Sequence, residues 1–372
     1  MSSSHRGLEG VIAGRTSLSF IDGKEGRLLY RGYDIRDLAE FANYEQVAYL
    51  LLNGDLPNGE QLRSFAKDLA SRRSVANELL ELGKRCGKAS PMEGLRTLIS
   101  AECSSDPGRE YLSSDRLIDT AKNLVAKMAT LAAAFHRIRN GEEAIMPSGA
   151  LSHAANFLYM LDGRAPSEYN SKVFDTCLVV YADHGFNAST FAARITASTL
   201  SDLYSVTVAG IGTLKGPLHG SANQRVLEMI QEIGEASKAE EYVRKLLRQG
   251  QKIMGFGHRV YRTEDPRARI LRVIAEELGR RAGDTTLFDI ARKIEETAWK
   301  ELKLYPNVEF YMGPVLRYLG IPADMFPVVF AVSRVVGWVS HGLEQYEDNR
   351  IIRPESEYIG QKPRPYVPLH KR

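Results

Sequence analysis

The chain has 372 residues, enough for one large or two medium domains. Lys and Arg number 49 against 46 Asp and Glu, and a net charge of only +3 argues against nucleic-acid binding by bulk charge. Hydrophobic residues make up 44% and charged residues 26%, the balance of an ordinary globular enzyme.

Three scattered cysteines, Cys86, Cys103 and Cys177, form no CxxC pair, so a reducing compartment without disulfides is expected. The opening residues lack the apolar core of a signal peptide, and no run of about 20 apolar residues occurs. The most apolar stretch, Phe326 to Ser340, is interrupted by Arg334. These features read as a cytoplasmic protein.

In chain order, Ser17 to Ile21 alternates polar and apolar, Asp22 to Gly26 is a turn, and Arg27 to Arg31 follows as the second arm of a β-hairpin. Helical patterns then dominate. Tyr44 to Asn53 is apolar on one side and stops at Gly54-Asp-Leu-Pro57. Gln61 to Ser71 is amphipathic, and Pro91 to Cys103 carries proline in its first turn. Ser114-Asp115 can cap a long helix with apolar residues at helical spacing from Leu117 to Phe135, ended by Gly141. Leu151 to Leu161, Asn170 to Ala182, Ala188 to Thr199 and Ser205 to Leu214 read as further helices rich in small residues. Such helices belong in a core or a subunit interface.

After Asn223 the texture changes. Gln224 to Gly234, Ala239 to Gln249, Pro266 to Arg281 and Asp289 to Leu302 are charged, amphipathic helices. Apolar texture returns from Pro322 to Val339. The expectation is a mainly α fold of two domains. A smaller domain at 220–322 is inserted into a larger one made of 1–219 and 323–372. The tail from Ile351 to Arg372 holds four prolines and should be extended.

Chemistry concentrates in a few segments. Lys252 to Arg267 packs Lys252, His258, Arg259, Arg262 and Arg267 behind Gly255 and Gly257. Backbone can approach a ligand closely at glycine, and Arg grips a planar anion with paired hydrogen bonds. Gly216-Pro-Leu-His219-Gly220 sets a second histidine before a helix start. Asp183-His184 and Asn187 form a third cluster, with Asp183 a candidate helix cap. Glu309 lies among Val308, Phe310 and Tyr311, where burial would raise its pKa and make it a possible base. Arg334 puts a charge in an apolar helix that demands an anionic partner. Gly255-Phe-Gly257 lacks the third glycine of a dinucleotide fingerprint, and Gly210 to Gly216 lacks the order of a P-loop. No HxH, HxxxH or HExxH pair offers a metal site. The set suits proton abstraction from carbon, enolate stabilisation by imidazole and multidentate binding of a dicarboxylate.

These motifs together resemble the citrate synthase family in its shorter bacterial and archaeal form. The likeness runs from Gly7-Leu-Glu-Gly-Val and Gly26-Arg-Leu-Leu-Tyr-Arg-Gly-Tyr-Asp34 through the segments above to Gly337-Trp338, Ile352-Arg353-Pro354 and Tyr358-Ile-Gly360. It implies a helical homodimer whose two domains close on acetyl-CoA and oxaloacetate, with no metal. By motif, His219 would be a neutral donor to the thioester oxygen, kept uncharged by its place near a helix start, and His258 the acid at the oxaloacetate carbonyl. His184, Asn187, Arg267 and Arg334 would hold oxaloacetate, joined by Arg353 from the partner subunit. Lys252, Arg259 and Arg262 are candidates for the CoA phosphates. One departure stands out. The family's base is an Asp, and this chain has Glu309, with Met312 nearby in place of a small residue. The extra methylene moves the carboxylate by roughly 1 Å, enough to cost on the order of 100-fold if uncompensated. The resemblance leaves open a 2-methylcitrate synthase using propionyl-CoA, a citryl-CoA lyase, or a non-catalytic relative that binds the same ligands.

Overall fold

The computed structural model describes residues 6–109 and 113–372. The expected hairpin is present as β1 (Ser19–Asp22) and β2 (Arg27–Tyr30), extended by a short β3 (Tyr33–Asp34) into an antiparallel sheet in the order β1-β2-β3. Ile21 pairs with Leu28 and Phe20 with Leu29.

Helices follow almost without interruption. First come α1 (Ile35–Phe41), α2 (Tyr44–Asn53), α3 (Gly59–Ser71), α4 (Asn77–Arg85), α5 (Pro91–Glu102) and the long α6 (Ser114–Arg139). Next are α7 (His153–Asp162), α8 (Glu168–Tyr181), α9 (Ala188–Ser198) and α10 (Leu203–Leu214). A further set comprises α11 (Ala222–Ile233), α12 (Ala236–Arg248), α13 (Pro266–Ala282), α14 (Thr286–Leu302) and α15 (Val308–Tyr318). The last is α16 (Phe326–Glu347). The tail beyond it is irregular and exposed, closing on a short turn of 3-10 helix at Leu369–Lys371.

Local chemistry explains the boundaries. Asn43 and Gln46 close a reciprocal capping box at the start of α2. Asp265 caps α13, with Pro266 in its first turn. Ser113, not Ser114, is the N-cap of α6, and its side chain makes no capping bond. Three helices went unread in the sequence. α1 has only 7 residues. α4 has Gly83 near its end, and α15 carries Gly313 and Pro314 in its interior, which read as breakers. Pro314 survives because α15 is buried over most of its length, so packing overrides propensity.

α16 is the centre of the larger layer. It packs on α6, α8, α9 and α10, while α11 to α15 pack chiefly on one another. Ala323–Glu347 is long and apolar enough to cross a membrane, yet 89% of its most apolar window is buried inside the protein, as in a core helix. Close approach is built in at Gly337. A Cβ there would lie 2.4 Å from the Ala182 carbonyl oxygen and 2.9 Å from Asp183 Oδ1. The hairpin turn is docked just as tightly. Arg262 N donates to the Gly23 carbonyl at 2.7 Å, and a Cβ on Gly23 would sit 2.2 Å from the Val260 carbonyl oxygen. The His258 loop is thereby held against the N-terminal sheet.

Replacing Gly337 by Ala forces α16 away from the 182–183 segment. The expected cost is about 1–3 kcal/mol in urea denaturation, as for an overpacked core. Unchanged stability would show that the helix can slide at no cost.

Candidate active site

Six pieces of chain meet around one cavity of about 550 Å³. They are Ile21 of β1, the α8–α9 turn, the α10–α11 turn, the loop before α13 with the first turn of that helix, the start of α15 and the middle of α16. The cavity is lined by His184, Asn187, His219, His258, Arg259, Arg267, Glu309, Phe330 and Arg334, among others. Residues 184 and 334 are 150 positions apart in sequence, so only the fold brings them together.

Two buried guanidinium groups set the electrostatics. Arg267 is the second residue of α13 and is 2% exposed. Its Nε and Nη2 donate to the two oxygens of Asp265 at 3.0 and 2.8 Å, a bidentate pair. That carboxylate raises the Arg267 pKa despite burial. Arg334, 1% exposed, donates its Nε to the Tyr181 carbonyl at 2.6 Å, and its guanidinium lies 4.8 Å from the Phe330 ring centroid. Burial lowers its pKa, but an arginine stays charged. Among the described residues, no acceptor takes the Nη atoms of Arg334. Buried cations so placed call for an anion.

Burial, helped by the same cations, keeps the histidines neutral, and hydrogen bonds set their tautomers. Ser189 meets His219 Nε2 twice: its backbone N–H donates at 3.3 Å and its hydroxyl oxygen lies 2.9 Å away. With the amide as donor, Nε2 holds its lone pair and Nδ1 carries the proton, and the hydroxyl turns from Asn187 Oδ1 to donate to Nε2 as well. Burial first, then the Arg334 charge, lowers the His219 pKa to about 4. In His258, Nδ1 accepts from Val260 N at 2.9 Å and Tyr261 N at 3.2 Å, which leaves the proton on Nε2. Its pKa is also lowered to about 4, by burial and then by Arg267. His184 is pushed well below the usual range by burial, Arg267 and His258. Its ring meets the His258 ring edge-on at 5.3 Å.

Glu309 behaves oppositely. Asn307 caps α15 by accepting from Glu309 N at 3.1 Å, which holds the backbone of Glu309 in the first turn. The side chain is 7% exposed, and Oε2 accepts from the Tyr181 hydroxyl at 2.8 Å. Burial raises the pKa to about 7, while Tyr181, Arg267 and Arg334 hold it down. A carboxylate poised there can take a proton at neutral pH. The cavity thus combines one buried carboxylate with a raised pKa, neutral imidazoles and two cations.

Other expected residues fall elsewhere. Lys252, Arg262 and Arg353 are exposed and do not line the cavity, and Arg259 is exposed at its rim. Asn187 lines it, but its Oδ1 caps α9 and its Nδ2 donates to Thr190 Oγ1 at 2.9 Å. Asp183 caps no helix. It is fully buried 3.2 Å from His341 Nε2, which helps lower its pKa to about 2. Met312 is fully buried in the core and does not line the cavity, so it does not reshape the pocket directly. Tyr181 and Ser189 were missed. Tyr181 stood beside the Asp183-His184 cluster, but its contact with Glu309 spans 128 positions.

The family described as "Citrate synthase, C-terminal domain" matches residues 7–355. The chain belongs to the citrate synthase family. It is 46% identical to the citrate synthase of Haloferax volcanii, covering 99% of this chain and 98% of that one. It is 38% identical to the 2-methylcitrate synthase of Shewanella oneidensis, covering 98% and 97%. The solved ternary complex of carboxymethyl coenzyme A and oxaloacetate with citrate synthase from Thermoplasma acidophilum superposes with a TM-score of 0.94 at 32% identity, covering 99% of both chains. The chain is accordingly an acyltransferase of the citrate synthase type.

With ¹⁵N-labelled histidine, His219 should remain neutral from pH 8 down to about pH 5, protonated on Nδ1. A cationic His219 at pH 7, or a proton on Nε2, would contradict the hydrogen bonding described.

Proposed function

We propose that this enzyme condenses acetyl-CoA with oxaloacetate and water to give citrate and CoA. The observation that carries the reading is Glu309, a buried carboxylate with its pKa raised to about 7, in one cavity with His219 and His258, whose donor nitrogens are assigned. Glu309 takes a proton from the methyl carbon of the thioester. Nδ1–H of His219 hydrogen-bonds the thioester oxygen as enolate charge develops, and a neutral donor does so without surrendering its proton. The enolate carbon attacks the ketone carbon of oxaloacetate, and Nε2–H of His258 serves the new alkoxide. Water then cleaves the citryl thioester and releases CoA. Arg267, Arg334 and His184 hold the carboxylates of oxaloacetate, with Asn187 at the wall. Lys252, Arg259 and Arg262 attract the CoA phosphates, Arg259 from the rim.

Two further elements belong to this reading. Residues 220–322 act as a small domain that closes over the cavity, and 1–219 with 323–372 form the large one. The enzyme works as a homodimer in which Arg353, exposed here, reaches the partner's site. Ile351, Tyr358, Ile359 and Leu369 are exposed apolar residues of the same tail, the composition of an arm that docks on another surface. Propionyl-CoA is the second substrate to test, because one methylene separates the two by only about 1–3 kcal/mol.

Initial rates of CoA release with oxaloacetate should be faster from acetyl-CoA than from propionyl-CoA, and Glu309→Gln should lower kcat by about 10²–10⁴-fold. A preference for propionyl-CoA would move the enzyme to 2-methylcitrate synthase, and no release from either thioester would sink both readings. Separately, Arg353→Ala and Glu309→Gln homodimers should each be nearly inactive, and mixing them should restore activity. A heterodimer would pair intact Glu309 in one subunit with intact Arg353 in the other. No recovery after verified subunit exchange would rule out the reach of Arg353 across the interface.

A further inference from the structure

Glu309 is one methylene longer than the aspartate its family resemblance leads one to expect, and the structure holds a group matched to that length. Tyr181 ends α8 and is fully buried. Its ring stacks on Phe330, with centroids 4.0 Å apart and planes 13° from parallel. Its hydroxyl oxygen accepts from Asn223 Nδ2 at 3.3 Å. Its carbonyl accepts from Arg334 Nε at 2.6 Å. The single hydroxyl proton is then directed at Oε2 of Glu309, 2.8 Å away.

We propose that Tyr181 is the positioning residue for Glu309: its hydroxyl holds Oε2 and turns Oε1 toward the substrate carbon. This inference rests on Glu309 being the base. A Glu side chain has one more rotor than an Asp, so an unheld carboxylate sweeps a wider arc and spends less time aligned for transfer. Among the described residues, Tyr181 is the one group that hydrogen-bonds the Glu309 carboxylate. Arg267 from α13 and Arg334 from α16 act on it through charge, with Asp265 opposing them, and His219 and His258 line the same cavity as neutral rings. An Asp at 309 would withdraw its oxygens by roughly 1 Å, taking the 2.8 Å contact beyond hydrogen-bond reach of the hydroxyl. The longer acid and the tyrosine therefore make a matched pair.

The test is a double-mutant cycle of wild type, Tyr181→Phe, Glu309→Asp and the double variant, read by CoA release with acetyl-CoA and oxaloacetate. Phe keeps the stack on Phe330. Tyr181→Phe should lower kcat by about tenfold, the scale of a hydrogen bond to a charged group, and leave the oxaloacetate KM within about twofold. Losing the donor raises the Glu309 pKa further, so the acidic limb of the kcat–pH profile should move to higher pH. In the Glu309→Asp background, Tyr181→Phe should change kcat by less than about twofold. Equal losses in both backgrounds, or an unmoved acidic limb, overturn the inference. A second readout needs no turnover. With ¹³C-labelled glutamate, the Glu309 carboxyl resonance should titrate at higher pH in Tyr181→Phe than in wild type, and an unchanged midpoint also overturns it. A wild-type enzyme that releases no CoA would instead overturn the proposed reaction, and the titration would still decide the contact.

Discussion

Two guanidinium groups buried beside one cavity are the constraint on which the site depends. Arg267 has Asp265 as a full partner, whereas Arg334 has a backbone carbonyl and an aromatic face. Removing a charge from water without a counter-charge is expensive, so the surrounding groups must adjust. The three histidines adjust by staying neutral, since a further cation nearby would be repelled and burial already disfavours it. Glu309 responds to the same field in the opposite sense. Burial lifts its pKa and the two arginines limit the rise, leaving it near neutrality instead of permanently protonated. The positive charge that would attract a dicarboxylate also tunes the acid and the base that would act on it.

Much of this was legible in the sequence, for physical reasons that can be named. The helices bounded by Pro, Gly and capping residues were read closely, because their end signals are local. Tyr44–Asn53, with Asn43 before it and Gly54 after it, is the clearest case. α15 was not legible, because its Gly313 and Pro314 argue against a helix and only burial decides otherwise. The charged residue in α16 announced a need for an anion, since an isolated Arg in an apolar run has few alternatives. The family resemblance supplied most of the remaining site residues.

What sequence could not show is pairing across distance. The Tyr181 contact with Glu309, the Ser189 amide on His219 and the His341 contact with Asp183 each join elements far apart in the chain. Asp183 shows how a local rule misleads. An Asp just before a helix reads as a cap, yet Asn187 caps α9 and the Asp183 carboxylate is used inside the core. Asn187 shows the converse, for a residue read as a ligand group has its polar atoms largely committed to its own helix end.

The docking of the β1–β2 turn onto the His258 loop bears on how the chain assembles as it is made. Gly23 is made before the Val260 and Arg262 backbones it meets, which come more than two hundred residues later. The hairpin therefore cannot reach its final seat until the chain has been synthesised past residue 262. Until then its docking face is uncovered. Such a pairing has high contact order and forms late. A nascent chain that stops short of that loop has the hairpin but lacks His258, Arg267, Glu309 and Arg334, so the hairpin waits for the segment that completes the cavity.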